Sequence, residues 1–192
     1  VTVMDDDLGV ATQRFQVVVS NVAPTLGAID DRTVEEGSVL NLDDVFEFTD
    51  PGFANSDNPN GPTQETFGYS IDWGDGTASP IGVPTIVQEG SPGVLTFGSF
   101  GGQHIYADNG TYTVRVTVTD DDGGAAVETF QVLVTNVAPT FVSDDVYTLK
   151  EGEEFTLADL EGGAIGLIDP GFDNPANVLD PSNGGETEET FV

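Results

Sequence analysis

Residues 111–140 read TYTVRVTVTDDDGGAAVETFQVLVTNVAPT. Tyr112, Val114, Val116 and Val118 alternate with Thr113, Arg115, Thr117 and Thr119, the period-two pattern of a strand with one face buried. The acidic and glycine residues at 120–124 break the alternation. It resumes with Phe130, Val132 and Val134 facing inward and Gln131 and Thr135 facing out, so the spacing predicts a hairpin. Pro139 cannot donate to a ladder; the strand must end before it, and Asn136-Val137-Ala138-Pro139-Thr140 reads as a stiff linker.

Much of this text occurs earlier in the chain. Residues 5–25, DDDLGVATQRFQVVVSNVAPT, align with residues 120–140, placing Phe15 on Phe130, Asn21 on Asn136 and Pro24 on Pro139, 115 positions apart. Glu36-Gly37 returns as Glu151-Gly152 and Leu42 as Leu157. Asp50-Pro51-Gly52-Phe53 then returns as Asp169-Pro170-Gly171-Phe172, now 119 positions apart, so a short insertion lies between. A period of this size suits an independently folding domain rather than a solenoid unit. The expected organisation is tandem repeats: residues 1–24 are the C-terminal strands of a preceding repeat, residues 25–138 a complete repeat, and residues 139–192 the N-terminal part of the following one. Only the middle copy is expected to close its own core. Arrays of one domain usually do mechanical or adhesive work.

Charge narrows the partners. With 34 acidic and 4 basic residues the formal net charge is −30, which excludes nucleic-acid binding and attraction to anionic membranes. Apolar residues make up 38% of the chain and separate the acidic clusters, so folding rather than an acidic disordered tail is expected. There is no cysteine, and every apolar run is interrupted well short of 18 residues, leaving neither a signal peptide nor direct membrane insertion to be read here.

Residues 39–48 and 66–73 read as two further strands, separated by a loop rich in Pro, Asn, Asp and Gly, and a third apolar section at 81–106 is cut into short pieces. Helix signals are nearly absent. Short strands at this density predict an all-β fold, an immunoglobulin-like seven-stranded antiparallel β-sandwich. Asp108-Asn109-Gly110-Thr111-Tyr112 has the form of a tyrosine corner, and Trp73 stands where such folds keep a buried tryptophan. Without the usual disulfide, the core must rest on Trp73, Tyr112, Val114, Val116, Phe130 and Val132.

Trp73-Gly74-Asp75-Gly76-Thr77, then His104-Ile105-Tyr106, then the run from Asn109 to Val114 resemble the PKD (polycystic kidney disease) domain. The loop beginning Asp50-Pro51-Gly52 and the Asn-Val-Ala-Pro-Thr linker are similar to tandem PKD arrays of large extracellular bacterial proteins. The resemblance implies a β-sandwich outside the cell or at its surface, used as a spacer, adhesive or ligand-binding module. It does not imply catalysis.

In a sandwich of this type the loop after the second strand and the loop between the last two strands lie at one end, beside the incoming linker. Asp50, Asp57, Asp120, Asp121 and Asp122 are expected to converge there, with the side-chain carbonyl of Asn21 adding an oxygen from the preceding copy. Crowded carboxylates repel unless a cation sits among them, and calcium, which takes 6 to 8 hard oxygen ligands, suits such a set. The junction ahead would use Asn136 and Asp169. The same Asp-Asp-Asp-Gly-Gly segment also reads as a soluble hairpin turn, or as part of an acidic surface adapted to salt. Asp75 reads as a turn residue bonding backbone amides, and His104, the only histidine, as a structural hydrogen-bonding group rather than a catalytic one. No catalytic constellation is legible, so an enzyme is not expected. The expected function is a calcium-rigidified stalk, adhesin or filament component. Its partners would be neighbouring repeats of the same chain, and possible fibre formation would run through edge strands. The alternative is a carbohydrate- or protein-binding accessory module of a secreted enzyme, with Phe53, Phe97 and Phe100 as exposed platforms.

Overall fold

Strands form where the alternation is cleanest. The computed structural model describes residues 1–59, 61–143, 148, 150–154, 165–172, 174 and 176. In chain order the strands are β1 (Thr2–Met4), β2 (Val10–Thr12), β3 (Thr25–Leu26), β4 (Arg32–Glu35), β5 (Val39–Asn41), β6 (Phe46–Asp50) and β7 (Phe67–Asp72). They continue with β8 (Thr85–Gln88), β9 (Thr96–Phe100), β10 (Gln103–Ile105), β11 (Gly110–Asp120), β12 (Ala125–Thr135), β13 (Thr140–Ser143) and β14 (Ile165–Ile168). No helix occurs among the described residues.

The fold is an all-β, immunoglobulin-like sandwich. One sheet is ordered β4-β12-β11-β7 and the other β3-β6-β9-β8, with β5 and β10 forming a short separate ladder. Pairings are antiparallel except β4 on β12, which is parallel. The long β11–β12 hairpin pairs Tyr112 with Val132 and Val114 with Phe130, so the inward residues of both strands meet on one face. Tyr112, Val114, Val116, Val118, Phe130, Val132 and Val134 are all buried. Among the described residues, every member of the core cluster lies between Leu26 and Val134, so the sandwich draws its apolar interior from this stretch.

The expected single strand over 39–48 is two strands. Asp44 turns the chain between them with φ of 54°, and Asn41 Oδ1 accepts the Asp43 N–H at 2.8 Å. The break sends β5 to pair with β10 and leaves β6 in the opposing sheet beside β9. Phe100, expected to be an exposed platform, is 3% exposed, because the inward phase of β9 aims it at Phe46 (5.5 Å between centroids) and stacks it on Tyr69 (4.5 Å). A ligand platform cannot be built on it. Phe53 and Phe97 are half-buried.

Aromatic rings close the far end of the sandwich. The His104 ring lies flat on Trp73 at 4.8 Å and meets Tyr106 edge-on, while Tyr106 stacks on Tyr112 at 4.3 Å. Both tyrosine hydroxyls return to the backbone: Tyr112 donates to the Asp108 carbonyl at 2.9 Å, completing the tyrosine corner, and Tyr106 donates to the Trp73 carbonyl at 2.9 Å. Burial pushes both phenols well above their ordinary range, so they stay protonated donors.

The flanks repeat the register of the sandwich. β1 pairs with β2 as Thr2 on Thr12 and Met4 on Val10, the positions 115 residues before the Thr117–Val127 and Thr119–Ala125 pairs of β11 and β12. β13 pairs with β14 as Thr140 on Ile168, as Thr25 pairs with Thr49 between β3 and β6.

Tyr106→Phe leaves the buried Trp73 carbonyl without its donor and is expected to cost about 1–3 kcal/mol. A lower urea midpoint with unchanged denaturant dependence is the expected result; an unchanged midpoint would show that this bond contributes nothing net.

Candidate functional site at the incoming linker

The strand pattern that builds the core also buries two carboxylates. In β6 the inward positions are Phe46, Phe48 and Asp50, and in β11 they run from Tyr112 to Asp120, so each strand delivers an aspartate to the core face at its end. Asp50 is 1% exposed and Asp120 7%. Asp120 is satisfied: Oδ1 accepts the Gly124 N–H at 2.6 Å, and Oδ2 accepts the Asn21 side-chain amide at 2.8 Å. Asp50 is only half satisfied. Its Oδ1 accepts the Gly52 N–H at 2.6 Å, and its Oδ2 is buried without a partner among the described residues.

More acids crowd the same place. Asp121 Oδ1 accepts the Thr66 N–H at 3.0 Å, while Glu65 and Asp122 border a cleft of about 420 Å³ shared with Val19, Asn21 and Phe53. Burial pushes the Asp50 carboxyl up, the Gly52 N–H pulls it down, and the charges of Asp120 and Asp121 push it up again; the net is a carboxyl above its usual range. Glu65 is pushed up to about 7, by burial first and then by Asp121, Asp50, Asp120 and Asp122.

Of the residues expected from sequence, Asn21, Asp50, Asp120, Asp121 and Asp122 come together at the incoming linker. Asn21 takes part through its amide nitrogen, which donates to a carboxylate, rather than through the carbonyl oxygen expected as a ligand. Asp57 stands apart: it is exposed, its carboxylate accepts from Ser56 Oγ at 3.4 Å, and it plays no part in the charge interactions at Asp50 or Glu65. Asn136 is exposed just beyond β12. Asp169 accepts the Gly171 N–H at 2.8 Å, the same turn that Asp50 makes with Gly52.

Glu65 was not legible as a member. Its signal lies in strand pairing: Phe67 opposes Asp120, so the residues just before β7 must lie beside the turn that follows β11. The donor set is all hard oxygen, and the orphaned Asp50 Oδ2 gives a buried anion in need of a counter-charge, both of which suit calcium. As the side chains stand, no three acidic or histidine groups among the described residues gather around one ion-sized space. Holding an ion would therefore require the exposed Asp121 and Asp122 to turn inward.

At the far end the third buried carboxylate is fully engaged. Asp75 is 2% exposed; Oδ1 accepts the Thr77 N–H at 3.0 Å and the Thr77 hydroxyl at 2.5 Å, and Oδ2 lies 2.9 Å from His104 Nε2. Burial would raise its carboxyl, but the bonds from His104 and Thr77 outweigh that and hold it below the ordinary range. His104 is thus committed to Asp75 and Trp73.

Residues 63–133, which span this aromatic end, the β11–β12 hairpin and Glu65, match the family model of the PKD domain. The chain contains a PKD domain. Among solved structures, the PKD domain of an M14-like peptidase from Thermoplasmatales archaeon SCGC AB-540-F20 is similar at 21% identity, covering 58% of this chain and 92% of that one, with a TM-score of 0.32. No curated protein matches the chain. PKD domains are generally extracellular modules of structural or accessory type. Among the described residues no helix is long and apolar enough to cross a membrane.

The two ends of the PKD domain give opposite pH signatures. Asp75 has a lowered folded pKa, so its contribution is present above the ordinary aspartate range and is lost as the pH falls. Glu65 is raised to about 7; its contribution is full below the ordinary carboxylate range and is lost as the pH rises through 7. In chelator, melting temperature is expected to fall between about pH 5 and about pH 8, and Glu65→Gln is expected to remove much of that fall. Parallel curves for the two proteins would contradict the assignment.

Proposed function

We propose that the chain is a piece of an extracellular tandem array, a stalk, adhesin or filament component, whose successive sandwiches are stiffened by calcium held where each linker enters the next domain. The observation that carries the reading is the tie between Asn21 of the linker and Asp120 inside a crowd of acids that includes the partnerless Asp50 Oδ2. The recurrence of the β11–β12 register on one flank and of the β3–β6 register on the other supports the tandem arrangement.

Asp50, Glu65, Asp120, Asp121 and Asp122 would hold the ion, and the ion would supply counter-charge. Without it, mutual repulsion works against burial of Asp50 and against a fixed linker; with it, both oxygens of Asp50 have partners and the Asn21–Asp120 bond is no longer opposed by neighbouring charge. The role is passive. Domain length sets spacing, and the proline of each linker limits bending.

The accessory-module alternative has lost one of its three aromatic platforms, since Phe100 is part of the core. No observation favours catalysis by these residues, with the only histidine held between Asp75 and Trp73.

At calcium a hundredfold above its Kd, binding to the folded state alone contributes about 2.7 kcal/mol, or roughly 10 °C in melting temperature. Scanning calorimetry and small-angle X-ray scattering in calcium and in chelator are expected to show this rise together with a longer particle. Asp50→Asn is expected to weaken both. Identical melting temperature and length in the two conditions would exclude a calcium-stiffened joint.

A further inference from the structure

The Trp-Gly-Asp-Gly-Thr end of the sandwich is a seat, and the chain shows what sits in it. Beyond the linker, residues 169–172, 174 and 176 lie against this end. The Phe172 N–H donates to the Ala107 carbonyl at 3.0 Å, and the Asn174 side-chain amide donates to the Asp75 carbonyl at 3.3 Å and to Asp75 Oδ2 at 3.2 Å. Gly37 and Gly76, both at positive φ, receive the backbone of Pro170 and Ala176 so closely that a Cβ at either would overlap it. Asp75 is thereby bonded on every side, by Thr77, His104 and Asn174.

The loop that fills the seat exists twice. Its shape is set by two turns, Asp169 Oδ1 accepting the Gly171 N–H at 2.8 Å and Asn174 Oδ1 accepting the Ala176 N–H at 3.0 Å. The same two turns occur 119 positions earlier, where Asp50 Oδ1 accepts the Gly52 N–H at 2.6 Å and Asn55 Oδ1 accepts the Asp57 N–H at 3.0 Å. There, neither the Phe53 N–H nor the Asn55 amide nitrogen, the counterparts of the two docking donors, has a partner among the described residues.

We propose that the loop from Pro51 to Asp57 is a docking plug whose partner is the Trp-Gly-Asp-Gly-Thr end of a preceding copy of this domain. Phe53 N–H would meet that copy's counterpart of Ala107, and the Asn55 amide its counterpart of Asp75. The chemistry explains why the plug carries asparagine in a chain so rich in acids. The seat holds an ionised carboxylate, which accepts from an amide and repels a carboxylate. Domains would then meet by a heterologous, head-to-tail contact that can extend along an array without closing. The inference rests on the tandem reading above but not on calcium.

Residues 25–139 hold every member of the core cluster among the described residues and can be tested as a unit, alone and as two copies joined in tandem. In the pair, half of the Phe53 amide signal is expected to exchange up to ~10-fold more slowly than in the single unit, because only the second copy has a seat ahead of it. Asn55→Asp in the second copy should abolish the slow phase. Placed in the first copy, the same substitution should leave it intact, which separates lost docking from a damaged loop. A single fast phase in the unaltered pair, or equal effects of Asn55→Asp in either copy, would overturn the proposal. Run in both calcium and chelator beside a calcium titration of the single unit, the experiment separates the readings. Calcium uptake with a single fast phase would sink the docking proposal alone, and a slow phase without calcium uptake would uphold docking while sinking the calcium joint.

Discussion

Two strands of this sandwich carry their inward alternation one residue too far for comfort. The pattern that buries Phe46 and Phe48 must bury Asp50, and the pattern that buries Val114, Val116 and Val118 must bury Asp120. A buried carboxylate is tolerated only when its oxygens are bonded, because lost hydration is otherwise uncompensated. Asp120 meets that condition by taking the amide of Asn21, which fixes the incoming linker to the sandwich. Asp50 does not meet it, since one oxygen is orphaned while Asp120 and Asp121 add like charge around it. The linker's anchorage and the cluster's demand for a cation follow from the same two side chains.

The opposite end solves the same problem without an ion. Asp75 is as deeply buried as Asp50, yet His104, Thr77 and Asn174 leave none of its oxygens idle. Its carboxyl is held low while those of Asp50 and Glu65 are pushed high, so the polarity of the domain is electrostatic as well as topological. Glu36 at the outgoing linker is buried too: its Oε1 accepts the Val137 N–H at 2.6 Å, while its Oε2, like Asp50 Oδ2, has no partner among the described residues. Each linker is therefore tied by an acidic residue of a sandwich it adjoins, Asp120 behind the incoming one and Glu36 beneath the outgoing one.

Much of this was readable from residues alone. The alternation of 111–120 and of 130–134 gave the central hairpin and its buried face, and Tyr112 and Trp73 stand where the tyrosine corner and the buried indole were expected. What was missed depends on pairing between distant strands. Asp43 and Asp44 look like two more polar positions in an alternating run, and only the local turn at Asp44 shows that the strand breaks. Phe100 lies near glycines in sequence, which suggests a loop, but its register opposite Phe46 places it inside. Glu65 carries no motif; it joins the acids because Phe67 pairs with Asp120. The recurrence of Glu36-Gly37 as Glu151-Gly152 was visible without a reason. The structure supplies one, since Glu36 holds the linker and Gly37 yields to Pro170.

Carboxyl carbon NMR shifts of Asp50 and Glu65, followed through a calcium titration at neutral pH, report on the crowded acids themselves. With calcium absent, Glu65 should be partly protonated near pH 7 and Asp50 should titrate above the usual aspartate range. One equivalent of calcium should drive both to the ionised, ion-bound form together. Titration curves that stay the same at every calcium concentration would contradict the view that a cation completes this end of the domain.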